Sequence, residues 1–222
     1  MSNSAFILAP EEVAREIITI ASSIDNSWKF EWADTIEALE SRFRSEAFDL
    51  LLSFGTSVIV PGWILAKPDL TAVNIHAASP QYPGRDSHHF AVYDEATQYG
   101  ATLHLMTEHV DAGSIIDVEL FDVPDGVRPI DLLDKANEAA CRLLGQYLAI
   151  FLSGKTPASN PDLAWTGKKR SRKDLLELCR IDAGISAEEF EKRQRACQMP
   201  GYDNLYTVIQ GRRFKMETGL EE

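Results

Sequence analysis

Short apolar runs alternate with amphipathic stretches along the first third of the chain. Four of these runs have the length and composition of buried strands: 5–9, 30–32, 49–54 and 71–75. Between them, apolar residues recur at steps of three and four, which predicts helices from Pro10 to about Ala21 and from Thr35 to Phe48. This alternation predicts an α/β fold, with an open, mainly parallel, twisted sheet and helices on both faces.

The pattern changes in the second half of the chain. The predicted elements there are two strands, a long helix, two shorter helices and a hairpin: 101–106, 115–121, 129–151, a helix after Ser171, 186–197 and 205–215. Charged and polar residues become more frequent after Pro157. We therefore predict a main domain over 1–155 and a small accessory unit of helices and a hairpin over 156–222.

Composition and charge are typical of a soluble globular protein: 45% of the residues are hydrophobic, 25% are charged, and the net charge is −12. A protein that follows a phosphate backbone normally presents a basic face, so this charge disfavours nucleic acid and anionic membranes as partners. No stretch has the length and hydropathy of a transmembrane helix, and no signal peptide is visible. We expect a cytoplasmic protein.

The three cysteines, Cys141, Cys179 and Cys197, are far apart in the sequence and show no CxxC spacing. We interpret them as reduced thiols, as is usual in the cytoplasm. Cys141 lies in an apolar helical stretch, where a buried structural thiol is expected rather than a catalytic one.

Residues that could carry chemistry lie in two segments. Asn74 and His76 occur at the end of a predicted strand, and their side chains point the same way because side chains alternate along a strand. Ligands of open parallel sheets bind at this edge. Asp111 lies in the polar loop between the next two strands. Taken singly, these residues are more often a backbone cap, a buried histidine and a turn residue.

Four short motifs follow one another in this region: Asn-x-His at 74–76, a Ser/Pro-rich turn ending in Tyr-x-Gly at 82–84, Gly-x-Thr-x-His-x-Met at 100–106, and Asp-x-Gly-x-Ile-Ile at 111–116. Together they resemble the folate-dependent formyltransferases. That family includes glycinamide ribonucleotide transformylase, methionyl-tRNA formyltransferase and the sugar N-formyltransferases. The resemblance covers about residues 50–122.

The resemblance implies an N-formyltransferase that uses 10-formyltetrahydrofolate as cosubstrate, with Asn74, His76 and Asp111 as the catalytic trio. Acyl transfer needs a hydrogen-bond donor for the tetrahedral oxyanion, which suits Asn74. It also needs a base for the proton of the attacking amine, which suits His76. Asp111 would fix the tautomer of His76 or order a water molecule, and the reaction needs no metal.

By the same resemblance, five residues line the pterin pocket: Ser57, Ile59, Thr107, Glu108 and Val110. Two departures from the family pattern affect the acceptor side. His-Ala-Ala-Ser-Pro stands where the family usually has His-Pro-Ser-Leu-Leu-Pro, and Ala-Pro-Glu at 9–11 replaces a glycine-rich turn.

The acceptor is expected to be a nucleotide-linked amino sugar, contacted by Arg85 and Tyr82. The basic run 168–173 could hold a nucleotide or sugar diphosphate, although a solvated charge run is the favoured interpretation. Methionyl-tRNA, glycinamide ribonucleotide and an amino-acid-type amine stay open as acceptors, and so does a homodimeric state.

Two functions from other classes remain open. A non-catalytic folate-binding paralogue would keep the fold without a productive acceptor site, but the complete trio argues against it. A metal-dependent hydrolase would use the five histidines, which all fall within 76–109. His88 and His89 should project in different directions on a helix and His104 lies in mid-strand, so the ligand spacing of a zinc site is missing and we expect no metal.

Overall fold

A six-stranded sheet lies at the centre of the protein, which we describe from a computed structural model over residues 3–201 and 204–216. The elements in chain order are β1 (Ser4–Leu8), α1 (Glu11–Ile24), β2 (Lys29–Ala33), α2 (Ile36–Ser45), β3 (Leu50–Phe54), α3 (Gly62–Leu65), β4 (Thr71–His76), α4 (Ser87–Tyr93), β5 (Gln98–Leu105), β6 (Ile115–Asp122), α5 (Pro129–Leu152), α6 (Arg172–Leu178), α7 (Ala187–Cys197), β7 (Tyr206–Ile209) and β8 (Arg212–Lys215). The sheet order is β2-β1-β3-β4-β5-β6. The first four strands of that order are parallel, whereas β5 and β6 are antiparallel. The predicted open, mainly parallel sheet is confirmed.

Helices cover both faces of this sheet because its central strands are apolar on both sides. Along β1, Ile7 packs with α1 and α5 on one face, whereas Phe6 and Leu8 pack with α2 and α3 on the other. Every residue of β3 is buried. Strands that are buried on both faces carry near-continuous apolar runs, which explains the sequence patterns at 5–9 and 49–54.

The helix predicted over 35–48 ends earlier, at Ser45 in α2. The backbone leaves the helix there because the Asp49 amide must donate to the carbonyl at the start of β1, which brings the chain into β3. Phe48 follows Phe43 by five positions, which is not a helical step, and it packs from the connecting segment. Its ring centroid lies 5.2 Å from that of Phe6.

The C-terminal elements pack on the main domain through α4 and α5. One buried cluster joins side chains from α4, α5, α6, α7 and β7. The predicted hairpin is confirmed: β7 and β8 are antiparallel, and Gln210 and Gly211 form the turn with positive φ angles of 48° and 74°. The domain boundary at 155–156 stays a prediction, and the outer ends of both predicted units lie outside the described residues.

Of the three cysteines, Cys141 differs from the expectation. Cys141 is exposed on α5, because it falls beside the buried stripe of that helix and not within it. Cys179 comes directly after α6, and Cys197 is the last residue of α7. The packing of these helices brings the two buried sulfur atoms to 2.8 Å from each other. The hydrogen bond between them lowers the pKa of Cys179 and raises the pKa of Cys197. Cys179 and Cys197 are therefore distant in the sequence but in contact in the structure.

The longest described helix, α5, lies across β5. Small buried residues on its inner face, Ala136, Ala139 and Ala140, allow this close approach. The opposite face of α5 is exposed and carries charged residues. Within residues 3–201 and 204–216, neither α5 nor any other helix combines the length and the apolar character that a membrane span requires.

Gly100 and Gly145 form a matched pair for testing how closely β5 and β6 approach. A Cβ atom on Gly100 would lie 1.9 Å from the Glu119 carbonyl oxygen, whereas one on Gly145 would meet no atom within 4 Å. We expect Gly100→Ala to lower the free energy of unfolding by about 1–3 kcal/mol, as overpacked sites do. Gly145→Ala, within α5, should raise it by up to ~1 kcal/mol. Urea denaturation measures both changes, and equal stabilities of the two variants would contradict this packing.

Candidate active site

A cavity of about 620 Å³ opens at the carboxyl ends of β3 and β4. Most of its lining comes from 55–60, 74–77, 84–88, 104 and 106–111. These stretches are the segment after β3, the end of β4 with the turn that follows, and the loop between β5 and β6. The volume lies within the usual range for small-molecule sites, and the position is the edge where open α/β sheets bind ligands.

The structure brings Asn74, His76 and Asp111 together in this cavity. The Nδ1 atom of His76 lies 3.6 Å from Oδ2 of Asp111. Asn74 is connected to the same carboxylate through His104: its Nδ2 lies 3.0 Å from Nε2 of His104, and that nitrogen lies 3.5 Å from Oδ1 of Asp111. Each oxygen of the carboxylate therefore faces an imidazole ring.

His104, which the sequence predicts in mid-strand with no role, is a further member of this site. The Leu105 carbonyl accepts a hydrogen bond from Nδ1 of His104 at 2.9 Å, so Nε2 can accept one from the Asn74 amide. An amide nitrogen carries two N–H groups, and one therefore remains for a ligand. The pairing depends on the antiparallel register in which Asn74 lies opposite His104. The one sequence signal for it was the histidine within the motif at 100–106.

The turn after β4 fixes the orientation of the His76 ring. Nε2 of His76 lies 2.9 Å from the Tyr82 carbonyl oxygen, and because a carbonyl only accepts, Nε2 carries the hydrogen. The Ser87 hydroxyl donates to the same carbonyl at 2.8 Å and holds the turn in place. In the neutral ring, Nδ1 then bears the lone pair and faces Asp111. The backbone of the turn, and not Asp111 as we expected, fixes this tautomer.

Asp111 is a buried carboxylate with 7% of its surface exposed. Burial raises the pKa of this carboxyl group, but the charge of His76, the contact with His104 and the backbone N–H of Gly84 act together to hold its pKa below the usual value. The Gly84 N–H donates to Oδ2 at 2.7 Å. The Gly84 N–H, together with His76 when that ring is protonated, favours the ionised carboxylate.

All the residues expected to line the pterin pocket border the cavity. They come from the segment between β3 and α3 and from the loop between β5 and β6: Ser57, Ile59, Thr107, Glu108 and Val110. Ile59 has 65% of its surface exposed, which leaves an apolar surface that a flat ligand can cover. A Cβ atom on Gly62 would lie 2.5 Å from Oε1 of Glu108, so the Glu108 side chain packs closely against the start of α3.

Of the two expected acceptor contacts, the structure places one at the cavity. Arg85 borders it and is exposed. The Tyr82 side chain lies outside the described lining: its ring packs 5.7 Å from that of Tyr99 in the cluster beneath α4. Burial raises the pKa of Tyr82 to about 12. Tyr82 therefore contributes its carbonyl group to the site, and its side chain contributes to the core.

The basic run 168–173 is only in part the solvated charge run that we favoured. Its central residues border the cavity: Lys169, Arg170 and Ser171. Backbone hydrogen bonds place them there, because the Arg170 N–H donates to the Pro83 carbonyl and the Arg85 N–H donates to the Arg170 carbonyl, both at 3.0 Å. Sequence alone could not reveal this, since the contact joins segments about 85 positions apart.

His88 and His89 do not project apart as expected. Their ring centroids lie 4.5 Å from each other, since neighbouring side chains can rotate towards each other about χ1. Burial, and then the nearby His89, lower the pKa of His88 to about 3, so His88 borders the cavity as a neutral group. Within residues 3–201 and 204–216, no three His, Cys, Asp or Glu side chains are grouped so that they could hold a metal ion.

The formyl transferase family matches residues 2–146 of this chain, a stretch that includes Asn74, His76 and Asp111. The methionyl-tRNA formyltransferase of Listeria monocytogenes serotype 4a (strain HCC23) is 31% identical over 157 residues, which are 70% of this chain and 49% of that protein. The chain spans about half the length of the Listeria relatives that it matches. The family match confirms the resemblance that the motifs indicated.

Solved structures share the fold over almost the whole chain. A sugar N-formyltransferase from Shewanella sp FDAARGOS_354 has a TM-score of 0.76 at 17% identity, over 97% of both chains. The N-formyltransferase from Helicobacter canadensis, solved in complex with folinic acid and dTDP-3-aminofucose, has a TM-score of 0.68 at 16% identity, over 95% of this chain and 85% of that one. At these identities the likeness establishes the fold alone.

The pKa of Asp111 predicts how its contribution to stability depends on pH. Because the folded state lowers this pKa below the unfolded value of about 3.9, the ionised group stabilises the fold above that pH. The contribution is lost as the pH falls through the folded pKa. We therefore expect the unfolding free energy of the wild type, minus that of Asp111→Asn, to fall as the pH drops below about 4.

Urea denaturation at a series of pH values measures this difference. The exposed Asp125→Asn variant controls for the removal of one negative charge. A difference that increases as the pH falls below about 4 would contradict the assignment.

Proposed function

This chain belongs to the formyl transferase family, and we propose that it moves a formyl group from 10-formyltetrahydrofolate to a primary amine. The observation that carries the proposal is the convergence of Asn74, His76 and Asp111 on one cavity, with Nδ1 of His76 lying 3.6 Å from the carboxylate. An amide donor, an imidazole and a buried carboxylate are the groups that acyl transfer to an amine requires. Each has a separate task.

Asn74 stabilises the charge that develops on oxygen. When the amine attacks the formyl carbon, the carbonyl oxygen becomes an oxyanion, and a fixed N–H donor stabilises it by about 3–4 kcal/mol. His104 accepts one hydrogen of the Asn74 amide at 3.0 Å, which fixes the plane of that amide. The second hydrogen is then held ready before the reaction begins.

His76 moves the proton. The attacking nitrogen must lose a proton, and N10 of the carrier must gain one when it leaves. Nε2 of His76 is engaged with the Tyr82 carbonyl, so Nδ1 accepts the proton and later returns it to the leaving nitrogen. Asp111 stabilises the imidazolium that forms in between. A positioned base of this kind typically accelerates a reaction by about 10²- to 10⁴-fold.

The lining of the cavity supports a folate as the formyl donor. Val58, Ile59 and Met106 offer apolar surface, while Ser57 and Thr107 add polar groups at the edge. A flat heterocycle with polar edges suits such a lining, because apolar side chains bury its faces while a few polar groups fix its orientation. The Helicobacter protein of the same fold was solved with folinic acid, which supports this choice.

For the acceptor we propose a nucleotide-linked amino sugar. Three cationic residues border the cavity: Arg85, Lys169 and Arg170. The net charge of the whole protein is −12. A local group of cations in an otherwise acidic protein favours an anionic ligand such as a diphosphate. The complex of the Helicobacter protein with dTDP-3-aminofucose supports the same class. Methionyl-tRNA is the second candidate, because the Listeria relative with 31% identity bears that name.

We expect Asn74→Ala, His76→Ala and Asp111→Ala each to lower turnover by at least about 10²-fold, as the loss of an oxyanion donor or a general base does. The appearance of tetrahydrofolate measures the rate, and circular dichroism checks the fold. Asn26→Ala, at an exposed position, is the matched control for the first variant. Near-normal turnover in any variant of the trio, with an acceptor that the wild type uses, would show that its role is wrongly assigned.

The reaction itself is tested with a panel of amines. The protein is incubated with 10-formyltetrahydrofolate and a dTDP-linked amino sugar, methionyl-tRNA, glycinamide ribonucleotide or a free amino acid. We expect turnover with the amino sugar and unchanged turnover after treatment with a chelator. Folate binding without turnover on any amine would favour the non-catalytic paralogue, and loss of activity with the chelator would favour a metal-dependent enzyme.

Two pairs of basic residues, one at the cavity and one away from it, test whether cations bind the diphosphate of the acceptor. The double variant Arg85→Gln/Lys169→Gln removes two charges that border the cavity, whereas Lys168→Gln/Lys173→Gln removes two exposed charges of the same run that lie outside its described lining. Hydrogen bonds to charged groups contribute about 1.5–3 kcal/mol, so the first variant should raise KM for the nucleotide-linked sugar at least tenfold, to order of magnitude. The second should change KM by less than about threefold. Equal effects of the two variants would refute a specific diphosphate contact.

A further inference from the structure

A segment beyond the family match is bonded to the active-site turn. We call residues 160–171 the strap, and they follow the residues 2–146 that match the family. Backbone hydrogen bonds tie the strap to β6 and to the turn: Asn160 N–H to Ile115 O (2.8 Å), Thr166 N–H to Pro80 O (3.2 Å), Arg170 N–H to Pro83 O (3.0 Å) and Arg85 N–H to Arg170 O (3.0 Å). The same turn supplies the Tyr82 carbonyl to His76 and the Gly84 N–H to Asp111. The strap is therefore bonded to the turn that holds two members of the trio.

Two glycines allow the strap and the turn to approach this closely. A Cβ atom on Gly167 would lie 1.6 Å from the Gln81 carbonyl oxygen. One on Gly84, where φ is 100°, would lie 2.1 Å from the Arg170 carbonyl oxygen. The path of the strap over the turn is consequently fixed on both sides by contacts that a larger residue would break.

Trp165 extends from the strap to both histidines of the site. Its Nε1–H donates to the Gly113 carbonyl at 2.8 Å, which fixes the indole. The ring centroid lies 5.1 Å from that of His104 at an interplanar angle of 87°, and 5.9 Å from that of His76 at 58°. The contact with His104 is edge-to-face, a favoured geometry for aromatic rings, and the contact with His76 is tilted. Trp165 lies outside the described lining of the cavity, so it packs on the histidines from behind.

We propose that Trp165 is a positioning residue for formyl transfer, an inference that rests on the proposed function. Its indole restricts the rotation of both imidazole rings. His104 then keeps its hydrogen bond to Asn74, and His76 keeps Nδ1 directed at Asp111. The strap thus completes the active site from outside the part of the chain that carries the family motifs.

The first test compares Trp165→Ala with Trp165→Phe. Displacing catalytic groups by about 1 Å can cost as much as 10²-fold in rate, so we expect the alanine variant to lower kcat by about 10- to 100-fold. KM for the amine should change by less than about threefold, because Trp165 contributes to the reaction and not to ground-state binding. Phenylalanine keeps an aromatic ring at the histidines and should recover most of the rate. Leu163→Ala, another half-buried apolar residue of the strap, is the control and should keep kcat within about threefold of the wild type.

A second pair of variants moves the strap without changing an aromatic ring. Gly167→Ala introduces the clash with Gln81, whereas Gly184→Ala adds a methyl group where no atom lies within 4 Å. We expect the first variant to lower kcat as Trp165→Ala does and the second to leave it within about threefold of the wild type. Thermal melting identifies any variant that fails to fold.

Histidine NMR spectra give a readout that is independent of activity. The ring current of the indole should shift the signals of His76 and His104, and in Trp165→Ala both signals should move while that of His109 stays in place. Moved signals together with an unchanged kcat would overturn the positioning role while leaving the proposed function intact. A wild type that turns over no amine would instead overturn the proposed function, and the role of Trp165 with it. Unmoved signals would show that the indole does not contact the histidines.

Discussion

The buried carboxylate of Asp111 is the constraint on which the site depends. A charge removed from water is costly unless hydrogen bonds and opposite charges compensate for it. Here the compensation comes from the Gly84 N–H and, when its ring is protonated, from His76. From the loop before β6, one side chain therefore contacts the turn after β4, the end of β4 and the end of β5. If it is removed, these segments lose their common partner.

The change from parallel to antiparallel pairing in the sheet makes this arrangement possible. β4 is parallel to β3 but antiparallel to β5, so Asn74 and His104 lie opposite each other in the register. The loop that follows β5 then returns to the carboxyl end of β4 and brings Asp111 there. A wholly parallel sheet would place the end of β5 beside the end of β4, and His104 would lose its place opposite Asn74.

The spacing of apolar residues was sufficient to predict most of the fold, because buried strands and amphipathic helices are recognisable from residues close together in the sequence. The runs at 5–9 and 49–54 became β1 and β3, and the motif residues Asn74, His76 and Asp111 met in space. Their catalytic roles stay a proposal.

The features that pattern did not predict arise from contacts between distant segments. The pairing of His104 with Asn74 depends on the direction of β5, and the placement of Arg170 depends on backbone bonds to Pro83 and Arg85. The contact between Cys179 and Cys197 depends on how α6 and α7 pack. None of these has a periodic signature in the sequence, and each follows only from the tertiary arrangement.

A crystal structure with a folate analogue that carries a non-transferable acyl group on N10 would show whether Asn74, His76 and Asp111 surround the acyl group. The measured quantity is the set of distances from the acyl group to the site. We expect the pterin between the segments 55–60 and 106–111, the acyl oxygen about 3 Å from Nδ2 of Asn74, and the acyl carbon in the space in front of His76. An analogue bound elsewhere, or an acyl group out of reach of Asn74 while Asp111 faces away from His76, would contradict it.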